Sequence, residues 1–297
     1  ERASVALIPV ALGLVPLTSA GMEHVLHVAI AVSVLLRVAD RLGVPARAAD
    51  LAPFRSGLVA IALLLALGSL VRLETAFLAA GCALAFLLMR RYRDAAVSLA
   101  ASAIPLLGFA VINTAFGQYP VPNSVAAKSG IGSGLPIPAP ADVVDRLLHD
   151  PLLLAVFVVL AVRTIAELRA SSANGSRATG ATLVIPVVAI TAQLVFGDVG
   201  WFERYQAWLI ATAGVALVVT LPTVRGTAPG RPAIQPLAGR VAIGILLAAV
   251  LRVPLHINTP TAIRNIHQSQ EQLGRFLAVT YPGQGVIVND IGWVGWL

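Results

Sequence analysis

The chain has 297 residues, 58% of them apolar and only 12% charged, with a formal net charge of +7 and a mean hydropathy of +0.85. A soluble domain carries about 25% charged residues, so a soluble globule, a disordered chain and a nucleic-acid-binding protein are excluded. Of the 21 basic residues only Lys128 is a lysine, and the single cysteine, Cys82, lies in an apolar run, so no intramolecular disulfide forms.

Apolar runs occur at 4–16, 21–37, 56–71, 73–89, 95–115, 151–168, 181–197, 205–222 and 241–254. A helix crossing a bilayer needs about 20 residues, with a lower limit near 17. The runs at 4–16 and 241–254 need their flanks to reach that length. The pair 56–71 and 73–89 fits either two tilted short spans or a hairpin. Pro16, Pro105 and Pro186 fall within or beside these runs, where bundle packing tolerates them. Residues 116–150 form a long connection rich in Pro, Gly and Ser, and loops of that length are often functional. After 254 the chain turns polar, with a helical stretch at Thr261–Phe276, a Pro-Gly turn and a short β-run at Val286–Val288. The expected fold is thus an all-α polytopic membrane protein. Residues 1–254 form a transmembrane helical bundle with an outer loop at 116–150, and 255–297 begin an extracytoplasmic α/β domain. Because the chain starts at Glu1 without Met and stops in mid-pattern at Leu297, it reads as a piece of a longer membrane protein.

Orientation follows the arginines. Arg2, the group Arg37–Arg55, Arg90, Arg91, Arg93, Arg163, Arg169, Arg177, Arg225, Arg231 and Arg240 fall in alternate connections. The intervening connections hold Arg72, Lys128, Arg146, Arg204, Arg252, Arg264 and Arg275. The first, richer set is expected in the cytoplasm, which requires a crossing on either side of an outer Val71–Glu74 turn. Nine of the 14 acidic residues then fall outside. Several begin an apolar run, where a charge costs about 2.5–3.5 kcal/mol and needs a partner or a watered cavity.

Five stretches on that outer side carry polar chemistry. In TSAGMEHVLH (18–27), Glu23 and His27 are four apart and His24 and His27 three apart, so all share a helix face. That suits acid–base work or metal ligation, but also a plain helix entry capped by Thr18 or Ser19. In VRLETAF (71–77), Arg72 and Glu74 interrupt a long apolar stretch. The guanidinium suits a phosphate or carboxylate; the plainer alternative is a pair that neutralises itself in a turn. In YPVPNSVAAKSG (119–130), Asn123 and Lys128 follow an extended Pro-rich segment, and Lys128 can meet a phosphate as a point charge. FGDVGWFERY (196–205) carries Asp198, Glu203 and Arg204 beside the interfacial aromatics Trp201 and Phe202. VIVNDIGWVGW (286–296) puts Asn289-Asp290 after the β-run. His149, His256 and His267 read as loop residues.

Taken together, TSAGMEH (18–24), LVRLETAF (70–77), VPNSVAAK (121–128) and GDVGWFER (197–204) resemble motifs of the GT-C integral-membrane glycosyltransferases that use polyprenyl-phosphate sugars. The likeness is nearest to the terminal arabinofuranosyltransferases of actinobacterial cell walls. The family's Arg-Pro-Glu is Arg72-Leu73-Glu74 here, and the fourth stretch is one residue longer and lacks a second glycine. The resemblance implies an inverting transfer on the extracytoplasmic face of the plasma membrane, from a polyprenyl-phosphate sugar donor to a glycan or glycolipid acceptor. It puts the catalytic aspartate upstream of these residues, with Glu23, Glu74 and Asp198 in support. On the same resemblance Arg72, Asn123, Lys128, Arg204, His24 and His27 are expected to contact the lipid phosphate or substrate. A divalent metal is left open as a cofactor, and membrane lipids are expected partners. A transporter or flippase of a lipid-linked or polar solute is the rival from another class, although transporters set their site near the midplane within repeats. A membrane scaffold subunit is the third.

Overall fold

The computed structural model describes residues 24–44, 57–121, 140–148, 150–170, 174–197, 205–221 and 253–283. These form helices α1 (His24–Leu42), α2 (Leu58–Val71), α3 (Thr75–Leu88), α4 (Tyr92–Ala115), α5 (Pro140–Leu148), α6 (Pro151–Arg169), α7 (Asn174–Phe196), α8 (Ala207–Val219) and α9 (Val253–Thr280). No strand occurs among the described residues. The stretches Tyr92–Ala115, Pro151–Arg169 and Arg177–Phe196 are each long and apolar enough to cross a membrane. The described part of the chain is all-α, as expected of a helical membrane protein.

Helices α1 to α4 and α6 to α8 overlap expected apolar runs, and the local chemistry explains the ends. Asp150 begins α6 by accepting the Leu152 and Leu153 N–H groups at 3.0 Å each, with Pro151 in the first turn where its missing N–H costs nothing. Pro105 and Pro186 sit inside α4 and α7. Two expectations are corrected. The connection 116–150 is not loop throughout, since Pro140–Leu148 is helical. His256 and His267 belong to α9, not to a loop. The expected helix at Thr261–Phe276 lies within α9, whereas the β-run at Val286–Val288 lies outside the described residues.

α7 is the central helix. Of its apolar stretch 67% is buried inside the protein, against 17% in α4 and in α6, which turn most of their surface outward. Leu99, Ile104, Leu107, Val111 and Ile112 of α4 are exposed, as lipid-facing residues should be. Around α7, α3 and α6 pack closely, α8 lies against α1, and α2 and α3 both lean on α4. The core is formed by Val34 and Leu35, Leu65, Leu78 and Phe86, Leu183 and Ile190, and Trp208. Lipid removes the hydrophobic drive between helices, so close backbone approach and interhelical hydrogen bonds must hold them. Both are present. At Gly81 of α3 a Cβ would stand 2.6 Å from the Ile185 carbonyl oxygen of α7, so only glycine permits the contact. The buried Ser69 and Ser102 hydroxyls, 2.7 Å apart, join α2 to α4.

The charged side chains sort to the two ends of this bundle. Arg41 at the end of α1 donates to both Asp94 oxygens at 2.9 Å, and Arg91 reaches the same carboxylate at 2.7 Å. Arg163 of α6 pairs with Glu167 and reaches the Thr220 carbonyl after α8. His24 and Arg72 lie at the opposite end, and the 17 residues from His24 to Arg41 span about 26 Å of helix. Of the Arg-poor set, Arg72 and Arg146 thus lie at the end opposite Arg41, Arg91 and Arg163. α2 and α3 run antiparallel, and the turn between them lies at the Arg-poor end.

Candidate functional site

Three separate pieces of chain meet at that end. The first turn of α1 brings His24 and His27, 2% and 0% exposed, onto its inner face. The tight turn between α2 and α3 brings Arg72, Glu74 and Thr75. The entry to α8 brings Tyr205 and Trp208.

Arg72 is the hub. Its Nε and Nη2 donate to the two Glu74 carboxylate oxygens at 3.2 and 2.5 Å, a bidentate pair whose side chains are only 11% and 17% exposed. Its Nη1 stands 2.9 Å from His24 Nδ1 and 3.0 Å from Nε2. The in-plane directions of the two ring nitrogens diverge, so one atom close to both sits over the ring. The guanidinium thus caps the His24 ring through this one nitrogen, and its carbon lies 5.4 Å from the Tyr205 ring centroid. Tyr205 in turn meets His24 edge-on at 6.1 Å. One turn deeper, His27 Nε2 is 3.1 Å from Thr75 Oγ1, and its ring lies 4.8 Å from Trp208. Hydroxyl and imidazole can each donate there, depending on the tautomer.

A turn that merely neutralised itself would need Arg72 and Glu74 alone. Here the pair is built into contacts with α1 and α8, so the self-neutralising pair forms but does not account for the whole arrangement. Burial pushes the Glu74 carboxyl up, yet the hydrogen bond and charge of Arg72 outweigh it, and the group is held below its ordinary value near 4.5. Its stabilising contribution is then fully present above pH 4.5 and is lost as pH falls through the lower folded value. Glu74→Gln is expected to lower thermal stability at pH 7, with the two proteins converging below pH 4.5 in a pH series of melting temperatures. A constant difference across that range would show that the Glu74 charge is not what stabilises the turn.

A second element closes the same end. Arg146 of α5 donates from Nη1 to the Leu194 and Gly197 carbonyls at 3.0 and 2.8 Å, groups left without helical partners where α7 stops. A Cβ on Gly197 would stand 2.8 Å from the Gln193 carbonyl oxygen, a backbone atom that cannot swing aside, which explains a glycine at the head of the stretch 197–204. Phe77 of α3 and Phe196 of α7 pack at 6.5 Å beside it.

Of the expected site residues, His24, His27, Arg72 and Glu74 are brought together. Glu23, Asn123, Lys128, Asp198 and Arg204 lie outside the described residues. Sequence reasoning missed Tyr205, Trp208 and Arg146. Among the described residues no three His, Cys, Asp or Glu side chains are grouped as metal ligands.

No family model, no curated protein and no solved structure matches this chain. Function therefore rests on the site itself and on the resemblance of its motifs.

Proposed function

We propose that the protein is a membrane glycosyltransferase of the GT-C kind, moving a sugar from a polyprenyl-phosphate donor to a cell-envelope glycan, lipid or protein acceptor on the extracytoplasmic side. The bundle is then a GT-C-like core, and 255–297 the start of an outer α/β domain. One observation carries this reading: ionisable and aromatic side chains from three elements converge at one end of an apolar bundle, around an arginine held rigid in a carboxylate fork. A donor with a lipid tail arrives within the bilayer, so its phosphate lies at interface depth, where such an end is found. A transporter would set its polar site near the midplane instead.

In the proposed reaction an acceptor hydroxyl attacks the anomeric carbon, and its proton passes to a carboxylate. A glycosidic bond forms as the bond from that carbon to the phosphate oxygen breaks, and polyprenyl phosphate leaves with the electron pair. The charge gathering on the leaving phosphate needs fixed cations. Arg72 and Glu74 form a neutral pair as they stand, so Arg72 contributes donors whose direction is set, while Lys128 and Arg204 are proposed to supply net positive charge. Glu23, Glu74 and Asp198 are supporting carboxylates, Asn123, His24 and His27 line the substrate, and the base itself is expected from an upstream aspartate.

The test is transfer of labelled sugar from a synthetic polyprenyl-phosphate donor by the full-length protein in native membranes. Appearance of label in an acceptor together with free polyprenyl phosphate is the expected result. Movement of intact donor between leaflets without either product would favour the transporter.

A further inference from the structure

Among the described residues three helix ends close in the same way, and one of them uses the wrong residue for the purpose. After α1, Gly43 N–H donates to the Asp40 carbonyl at 3.0 Å and Val44 N–H to that of Ala39 at 3.1 Å. After α4, Gly117 and Gln118 donate to the Thr114 and Asn113 carbonyls at 3.0 and 2.9 Å. After α3, Arg90 and Arg91 donate to those of Leu87 and Phe86 at 2.9 and 2.8 Å. This paired closure requires a left-handed residue just past the cap, where glycine is favoured because it has no Cβ. Gly43 and Gly117 supply it at φ 78° and 69°, but the third position is Arg90 at φ 58°, the one non-glycine residue with positive φ among those described. An arginine kept at a strained position that glycine fills elsewhere in the same chain implies a use for the side chain.

The surroundings say what use. Arg90, Tyr92 and Arg93 are exposed. Asp94, 4% exposed, is shared by Arg41 and Arg91, and Arg91 also donates to the Arg41 carbonyl and lies 5.8 Å from the Phe86 ring. Arg90 and Arg93 have no ion-pair partner among the described residues. Within the turn itself Arg90, Arg91 and Arg93 stand against Asp94 alone, which leaves it positive at the end of an apolar bundle. Tyr92, 67% exposed, is the kind of aromatic that marks headgroup depth.

We propose that the α3–α4 turn binds the headgroup phosphate of an anionic phospholipid, with Arg90 and Arg93 supplying the charge and Asp94 fixing Arg41 and Arg91 beside them. This site lies at the opposite end from Arg72 and does not depend on glycosyl transfer.

Arg90→Gly tests it, because the two roles of the residue predict opposite outcomes. The full chain is placed in nanodiscs of phosphatidylcholine mixed with phosphatidylglycerol, and the lipids it retains are counted by native mass spectrometry. Wild type should enrich phosphatidylglycerol, and Arg90→Gly and Arg93→Gln should each weaken that preference about fivefold, the effect of one arginine at a membrane surface. Arg90→Lys should keep most of it, and Arg264→Gln on α9 should change nothing. In discs of phosphatidylcholine alone, Arg90→Gly should melt no lower than wild type, since it relieves the strained backbone. The proposal is overturned by equal lipid preference in wild type and Arg90→Gly, by an equal loss in Arg264→Gln, or by a lower melting point of Arg90→Gly in neutral discs.

Discussion

Arg72→Ala is expected to cost about 3 kcal/mol of stability and to abolish sugar transfer, and the two effects separate in a double-mutant cycle. Alanine leaves the Glu74 carboxylate nearly buried, 17% exposed, without the guanidinium that compensates it. An uncompensated charge of this kind is far costlier than loss of the pair as a whole. Arg72→Ala/Glu74→Ala should therefore recover much of the loss, giving a coupling of about 2 kcal/mol. Stability is measured by unfolding the purified protein in mixed detergent micelles. Transfer should not recover with it. If Arg72 orients the donor phosphate, the double variant stays folded and remains at least about a hundredfold slower. A double variant that is both stable and active would reduce Arg72–Glu74 to a structural pair.

Asp94→Ala carries the second large effect, at the opposite end of the bundle. The carboxylate takes two hydrogen bonds from Arg41 and an ion pair from Arg91, tying the end of α1 to the start of α4. Its removal leaves two partly exposed guanidiniums without the buried carboxylate that joined them, at an expected cost of about 2 kcal/mol, less than for a fully buried pair. Asp94→Asn keeps the shape but loses the charge, and should fall between the two. The loss should also shrink at high salt, because Arg41 and Arg91 are 24% and 33% exposed and ions can screen their repulsion. Wild-type stability in Asp94→Ala would mean that the two helices are held by apolar packing alone.

What was legible in the sequence follows from where the physics is local. Spans are read from runs such as 95–115 and 151–168, because every side chain on the lipid face must be apolar. The sorting of charges between ends is read from the spacing of Arg37, Arg41, Arg90, Arg91 and Arg93 against Arg72 and Arg146, since charges cannot rest inside the apolar layer. The pairing of His24 with His27 is read from one turn of helix. Partners chosen across the bundle were out of reach. Tyr205 and Trp208 look like any interfacial aromatics until α8 lies against α1. Arg146 looked like a loop cation because the Pro- and Gly-rich flanks of 116–150 hid a nine-residue helix that only docking on α7 explains. Placing His267 in a loop failed for a similar reason, since a polar residue does not end a helix whose solvent face can hold it. Arg90 carried no signal at all, because a left-handed arginine is an ordinary arginine in sequence.

The most direct measurement is cross-linking of the full-length protein in its membrane with a polyprenyl phosphate carrying a photoreactive group beside the phosphate. The account predicts labelled peptides from the α2–α3 turn around Arg72–Thr75 and from the start of α1 around His24–His27, with labelling lost in Arg72→Ala/Glu74→Ala. Labelling confined to the Arg41–Arg91–Asp94 end, or spread along the lipid-facing side of α4, would contradict it.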